Sequence, residues 1–319
     1  MSAAPDIQDI LEARDRLRPF ARNTPLQHSG WLSERAGVPV FLKLECWQRT
    51  GSFKLRGAYN AVAQLDAESR TRGLVTASAG NHGQGVALVA GELGIPVDIF
   101  VPDSAPETKK ARIRQYGARL HTVPGIYDDA AEAARVHAEN AGAVHLHPFA
   151  DPRVVAGQGT VGVEVVEALP RVRTVLVPVG GGGLIGGVGL ALKTLTGGAA
   201  RVVGVQSDAT PAMHAAFQAG RVVPAPMGDT LADGLSGETE AVSFERARRV
   251  TDDMVLVKES AIAPAIRDLY RHDGIVAEGS AAVVVAAMRD GVVAVDGPTV
   301  LVISGGNIDA AVLARILGS

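Results

Sequence analysis

The chain of 319 residues has one cysteine, six lysines against twenty-five arginines, and only 4% aromatic residues. Each shortage excludes something. A single cysteine, Cys46, cannot close a disulfide within the chain, so the fold must rest on its apolar core, and a reducing cytoplasm is the expected compartment. Cys46 itself reads as a buried small residue before it reads as a nucleophile. The net charge is −3, without the basic excess or stripe of a nucleic-acid-binding protein. Long apolar runs are missing too: "AAVVVAAM" at 281–288 falls far short of the roughly 20 residues of a membrane span. The opening "MSAAPDIQDILEARDRL" carries acids where a secretory signal needs a basic start and an apolar core. No low-complexity tract and no repeat of fixed period occurs. What remains, 47% hydrophobic and 20% charged, is a globular composition at a length that suggests about two domains.

The scarcity of lysine draws attention to "TGSFKLRGA", Thr50 to Ala58, where Lys54 follows a Gly-Ser-aromatic turn and precedes helix-forming residues. A guanidinium stays protonated at working pH, whereas a desolvated ammonium can lose its proton and act as a nucleophile or base. Arginine would hold a charge here but could not form a Schiff base. Lys109 and Lys110, inside "SAPETKKARIRQYG", are expected on a solvated helix face.

Apolar strand-like runs alternate with helical segments along the chain. An amphipathic opening helix carries Ile7, Ile10, Leu11 and Leu17 on one side. "LVTA" at 74–77 precedes a helix near 82–92 that Gly94 can end, and "VDIFV" follows at 97–101. Ser104 and Glu107 have capping-box spacing, Pro106 suits a first helical turn, and Gly117 suits a stop. "RLHTV", a helix over 128–141 and "AVHLH" continue the rhythm, and "TVLVPV" (174–179), a helix from about 184, "RVVGV" (201–205) and "TVLVIS" (299–304) repeat it. Such alternation with continuous apolar strands predicts parallel sheets covered on both faces, in two α/β domains with a site at the strands' carboxyl ends. A Pro-containing break at "HPFADP", 147–152, marks a domain border.

Three strand ends run into small-residue loops that open helices: "SAGNHGQG" (78–85), "GGGGLIGG" (180–187) and "SGGNID" (304–309). Loops of this kind present backbone N–H groups at a helix N-terminus, where a phosphate or carboxylate fits. Gly181, Gly183 and Gly186 also match the dinucleotide pattern G-x-G-x-x-G, with Asp208 about twenty residues on. A nicotinamide-dependent oxidoreductase is therefore an alternative, and a non-catalytic anion-binding module another, although both leave Lys54 and "SAGNHG" without a role. Colour separates them: a lysine-bound pyridoxal absorbs in the near-visible and bleaches with borohydride. His145 and His147 have an i,i+2 spacing that could suit a metal, but without further ligands they read as strand-end residues.

The order "TPL" (24–26), "TGSFKLRGA", "SAGNHGQG", "AGQGT" (156–160), "GGGGL", "ADG" (232–234) and "SGGN" (304–307) resembles that of the fold-type-II pyridoxal-phosphate enzymes. More closely it is similar to the threonine/serine dehydratase and serine racemase group, from about residue 7 onward. The resemblance implies a tryptophan synthase β-like α/β architecture, with a large cofactor-binding domain of residues 1–65 plus 150–319 and a small domain of 66–149. It makes Lys54 the Schiff-base lysine, with Gly180, Gly181, Gly182, Gly183 and Leu184 around the phosphate of pyridoxal 5'-phosphate. Phe53 would pack on the pyridine ring, Asn81 would bond its 3′-oxygen, and Ser304 would sit at its nitrogen. The turn Ser78, Ala79, Gly80, Asn81, His82 would take the substrate carboxylate, and Gly234 and Glu278 would border the ring. A serine at the ring nitrogen does not enforce a charge there, which suits β-elimination. Lys54 would remove the Cα proton, the β-hydroxyl would leave, and the released aminoacrylate would hydrolyse to a 2-oxo acid and ammonia. The implied substrate is a 3-hydroxy amino acid such as L-threonine or L-serine, and the implied assembly a homodimer or homotetramer.

Departures from the family pattern sharpen the expectation. Ala79 stands where racemases carry a second serine, on the ring face opposite the lysine. Phe149 and Ala130 replace polar or cationic residues and would make the pocket friendlier to a methyl group. Gln206 and Ala212 replace carboxylates of a divalent-cation site found in some members, so no metal is expected, although Asp208 lies nearby. "EGSAA" at 278–282 differs from the usual dehydratase "E-P-[AST]", which leaves a 3-hydroxyaspartate or phenylserine dehydratase, or a serine racemase, as alternatives. Only twelve residues follow "SGGN", so the isoleucine-responsive regulatory domain of biosynthetic dehydratases is not expected.

Overall fold

The structure, a computed structural model, describes residues 4–237 and 239–318. The first half runs α1 (Ile7–Leu17), β1 (Leu26–His28), α2 (Gly30–Ala36), β2 (Val40–Lys43), α3 (Lys54–Ala63), α4 (Ala67–Arg72), β3 (Leu74–Ala77), α5 (Asn81–Leu93), β4 (Val97–Pro102), α6 (Glu107–Gln115), β5 (Arg119–Val123), α7 (Tyr127–Ala141) and β6 (Val144–His145). The second half runs α8 (Pro152–Ala168), β7 (Thr174–Pro178), α9 (Gly183–Leu195), β8 (Arg201–Ser207), α10 (Ala212–Ala219), α11 (Ala241–Val250), β9 (Asp253–Val257), α12 (Ile262–Asp273), α13 (Gly279–Arg289), β10 (Thr299–Val302) and α14 (Ala310–Gly318).

The strands form two sheets. Six pair in the order β1-β2-β10-β7-β8-β9 and four in the order β5-β4-β3-β6. All pairings are parallel except β1 with β2, which is antiparallel. The sheets are parallel as expected apart from that edge, where the residues between β1 and β2 hold only the short helix α2 and bring the chain straight back. Side-chain alternation covers both faces of each sheet. In the four-stranded sheet Leu74, Val97 and Ile99 face a cluster with α3 and α5, whereas Val75, Ala77 and Phe100 face Ala130, Ala134 and Ala138 of α7. Ala130 is thus sealed in the core behind the sheet and does not line the pocket expected for it. In the six-stranded sheet Leu176, Val203 and Leu301 meet α12 and α13, and Val175, Val202 and Val300 meet the cluster that contains α9 and α11. No helix among the described residues is long and apolar enough to cross a membrane.

Two local expectations change. Helix α6 starts at Glu107 with Pro106 as its N-cap and no side-chain cap bond, because Ala105 N is taken by the Pro102 carbonyl in a tighter turn. Ser104 therefore caps nothing. Nor do both lysines of α6 face water: Lys110 is buried and donates to the Asp103 carbonyl at 2.7 Å, and Lys109 pairs with Asp233 on the other half of the molecule.

Helix α3 is held by an unusually polar interior. Buried Arg56 bonds Glu45 through Nε and Nη2, both at 2.8 Å, and Glu164 through Nη1 at 2.7 Å and Nη2 at 2.9 Å. Lys43 Nζ donates to Glu164 at 2.5 Å and to the Thr24 carbonyl at 2.6 Å. Two cations and two carboxylates cancel. Burial alone would lower the Arg56 guanidinium, but the carboxylates outweigh it and raise it; burial would raise Glu45, but Arg56, Lys43 and Thr24 together outweigh it and lower it. Alongside, α3 crosses α8 glycine on glycine. A Cβ on Gly157 would stand 2.6 Å from the Arg56 carbonyl and 2.7 Å from Gly57 Cα. Because breaking a buried ion pair leaves an uncompensated charge, Arg56→Met is expected to destabilise the protein by about 3–5 kcal/mol. Urea unfolding followed by circular dichroism tests this; a loss below about 1 kcal/mol, the range of exposed pairs, would show that the cluster does not anchor the helix.

Candidate active site

Lys54 begins α3 at a junction with the carboxyl end of β10. Ser52 bridges Gly305, and Phe53 N donates to the Ser304 carbonyl at 3.1 Å. This brings Phe53, Lys54 and Ser304 together across some 250 residues of sequence. Lys54 Nζ donates to the Pro148 carbonyl at 3.1 Å and stands 5.4 Å from the Phe53 ring centre. Burial lowers its pKa from 10.5 to about 8, and the nearby Glu278 carboxylate opposes that shift. The Ser304 hydroxyl makes no hydrogen bond to another described residue.

Glu278 is the N-cap position of α13 and is buried. Asn81 Nδ2 donates to its Oε1 at 2.7 Å, and Asn307 N to its Oε2 at 3.1 Å. Burial and the charge of Asp233 nevertheless raise its pKa from 4.5 to about 7. Asn307 continues the chain of bonds: its Nδ2 donates to Asn81 Oδ1 at 2.7 Å and to the Thr50 carbonyl at 2.8 Å. Gly305 is required here, since a Cβ would run into the Glu278 carboxylate.

The loop before α9 has the geometry of a candidate anion site. Gly182 has φ of 88°, a left-handed conformation that costs glycine nothing, and it caps a helix whose first N–H groups have no intrahelical acceptor. A Cβ on Gly181 would sit 2.6 Å from the Phe149 ring, and one on Gly183 2.9 Å from Phe149 Cβ. Gly180 touches the 234–235 turn, where Gly234 N donates to Ser280 Oγ at 2.9 Å. Leu184 is buried beneath the loop. The "SAGNH" turn precedes α5: Ser78 Oγ accepts from Gly80 N at 3.2 Å, Gly80 is the N-cap, and Ala79 packs toward the core of the four-stranded sheet. His82 is buried, its Nε2 bonds the Leu146 carbonyl at 3.3 Å, and burial together with the Lys54 charge drives its pKa well below 6.5, so it is neutral.

Several residues given little weight in the sequence bear on this site. Asn307 was visible in "SGGN" without a role. Asp233 raises the Glu278 pKa, Phe149 packs against Gly181 and Gly183, and His147 Nε2 stands 2.8 Å from Glu240. Gln206 Oε1 accepts from His214 N at 2.8 Å, and Asp208 accepts from Glu259 N at 2.8 Å and pairs with Lys258 at 3.2 Å. Among the described residues no three His, Cys, Asp or Glu side chains are grouped to hold a metal ion. Cys46 is buried, and burial and Glu45 push its thiol up to about 12, so it is inert at neutral pH.

An amine with a lowered pKa, a glycine loop at a helix N-terminus, and the Ser304 hydroxyl at the carboxyl end of β10 are a donor set that fits a phosphorylated pyridine aldehyde. The class is a pyridoxal-phosphate lyase-type site on a two-sheet α/β fold. The family model "Pyridoxal-phosphate dependent enzyme" matches residues 17–305, and the chain belongs to that family. It is 46% identical over 312 residues to the L-threonine ammonia-lyase of Thermotoga maritima, covering 98% of this chain and 78% of that protein. It is 38% identical to the catabolic L-threonine dehydratase of Escherichia coli, over 98% of this chain and 96% of the other. Among solved structures, maize serine racemase superposes with a TM-score of 0.94 at 32% identity, covering 98% of this chain and 97% of that one.

The electrostatics give a pH expectation. A lowered lysine pKa means that the amine is protonated and unreactive below about pH 8 and free above it. In cofactor-free protein, reductive methylation of Lys54, quantified by peptide mass spectrometry, is expected to rise through a midpoint near 8. Glu278→Gln, which removes the charge favouring the ammonium, should move the midpoint lower. A wild-type midpoint near 10, as for an exposed lysine, would show that the site does not desolvate Lys54.

Proposed function

We propose that this protein is a pyridoxal-phosphate-dependent hydroxy-amino-acid ammonia-lyase, converting L-threonine or L-serine to the 2-oxo acid and ammonia. The observation that carries the reading is the half-buried Lys54 amine, with its pKa lowered to about 8 and donating to the Pro148 carbonyl beside the glycine loop. Pyridoxal phosphate, when bound, supplies a sink for the electron pair left on Cα when its proton departs. Lys54 would hold the cofactor, and its Nζ would take the Cα proton. The N–H groups from Gly180 to Leu184 would hold the phosphate, Phe53 and Gly234 would border the ring, and the Ser304 hydroxyl would serve its nitrogen. Asn81, fixed through Glu278 and Asn307, orients the ring oxygen. The Ser78–His82 turn, at the N-terminus of α5, binds the substrate carboxylate; neutral His82 shapes that turn and adds no charge.

In this reading residues 1–65 with 150–319 form the larger domain and 66–149 the smaller. All four strands of the smaller sheet fall within 66–149, which supports the division, while residues 1–3, 238 and 319 lie outside the described ones. We assign the enzyme to the cytoplasm as a homodimer or homotetramer; a lone buried thiol is in keeping with a reducing compartment.

The test is release of keto acid from L-threonine, L-serine, 3-hydroxyaspartate and phenylserine. The first two should dominate, and Lys54→Ala should abolish turnover and the near-visible absorbance of the cofactor. Borohydride reduction that labelled Lys193 or Lys258 in place of Lys54 would sink the assignment, and fastest turnover of 3-hydroxyaspartate or phenylserine would replace the substrate.

Likeness to a serine racemase makes racemisation the second reading, and Ala79 argues against it. Racemisation needs a proton donor on the face opposite Lys54, and a methyl has none; absence of a positioned acid typically costs 10²–10⁴-fold, about 3–5 kcal/mol. Chiral analysis during turnover of L-serine should show pyruvate with little D-serine, and Ala79→Ser should raise the D-serine fraction. D-serine formed as fast as pyruvate by the unaltered protein would put the racemase reading first.

A further inference from the structure

His147 and Glu240 have no part in the chemistry above, yet they sit behind it. His147 follows the two-residue strand β6. It precedes Pro148, whose carbonyl accepts from Lys54, and Phe149, whose ring lies over Gly181 and whose Cβ and backbone lie over Gly183. Its Nδ1 accepts from Ala150 N at 3.0 Å and, at a longer 3.4 Å, from Phe149 N; Pro148 has no N–H to offer. Its Nε2 stands 2.8 Å from Glu240 Oε1, and its ring meets Phe149 edge-on at 4.7 Å between centres. The hydrogen bond from His147 holds the Glu240 carboxyl below its usual pKa. An ionised carboxylate only accepts, so Nε2 carries the proton and Nδ1 keeps the lone pair that both N–H groups need. Arg246 Nη1 donates to the Ala150 carbonyl at 2.5 Å and ties the far side of the same turn.

We propose that His147, kept in one tautomer by Glu240, is a positioning residue: it fixes the Pro148 carbonyl against the Lys54 amine and the Phe149 ring against the glycine loop. The inference rests on the reading of Lys54 as the cofactor-holding residue. An imidazole Nδ1 accepting from the N–H groups two and three residues on does what an Asn side chain does in an Asx-turn. The arrangement therefore has a conservative replacement that keeps the acceptor and discards the imidazole. A general acid or base at this position would have no such replacement.

The experiment compares wild type, His147→Leu, His147→Asn and Glu240→Leu by three readouts: absorbance titration with pyridoxal phosphate, melting temperature, and the rate at which formaldehyde with cyanoborohydride methylates Lys54 in the cofactor-free proteins. His147→Leu is expected to weaken cofactor binding about 10–100-fold, the span of a lost hydrogen-bond acceptor at a charged site, and to change the Lys54 methylation rate. His147→Asn should return both to within about threefold of wild type, and Glu240→Leu, which frees the tautomer, should fall between. Asn no better than Leu, or Leu with wild-type affinity and methylation rate, overturns the inference. Should His147→Leu fail to fold, Glu240→Leu decides, and wild-type affinity and methylation rate there overturn it. Borohydride labelling of a different lysine in the wild type would instead remove the reading of Lys54, and the inference with it.

Discussion

The interior ion cluster around Arg56 is the constraint on which the arrangement of the site depends. Arg56 lies two residues past Lys54, on the first turn of the same helix, and its guanidinium reaches β2's following turn through Glu45 and α8 through Glu164. Lys43 at the end of β2 closes the ring onto Glu164. An apolar contact tolerates a slide of a few tenths of an ångström, whereas a guanidinium fork facing two carboxylates does not. The glycine crossing of α3 with α8 removes the remaining freedom along the helix axis. An amine that must approach one face of a flat cofactor is thereby set on a helix that can neither rotate nor slip.

From that fixed point the site is assembled across the strands' carboxyl ends. The end of β10 supplies Ser304 and Asn307, the end of β7 the glycine loop, and the end of β3 the Ser78–His82 turn. Two groups of opposite type titrate close together: Lys54 near 8 and Glu278 near 7. Burial lowers Lys54 from 10.5, and burial with the Asp233 charge raises Glu278 from 4.5.

Much of this was legible in the chain because it is local. The 74–77 strand, the helix stopped by Gly94, the glycine loop at 180–183 and the lysine behind "TGSF" each declare themselves within a few residues. What was not legible depended on partners far away. Each member of the Arg56 cluster looks like a surface charge in sequence, and only the fold brings Glu164 within reach of Arg56. Lys109 looked solvated because its partner, Asp233, is more than a hundred residues on. The Ser104 cap had the right spacing but lost to the turn that Pro102 and Ala105 make. The antiparallel β1 is three residues long, too short to show a period. His147 offered an element type that fits metals, strand ends and turns alike, and only the distances from its two nitrogens separated them.

The preference for arginine takes on another meaning once the lysines are placed. Lys43 and Lys193 are bound to both a carboxylate and a carbonyl, Lys110 to the Asp103 carbonyl, and Lys109 and Lys258 to carboxylates. Of these five only Lys258 is largely exposed, and guanidinium groups do not condense with a simple aldehyde to a stable imine. A protein that must handle a reactive aldehyde all its life thus presents hardly any other amine to it. Chemical selectivity for a single residue is written into the whole surface, as an economy of competing targets rather than as a property of the pocket.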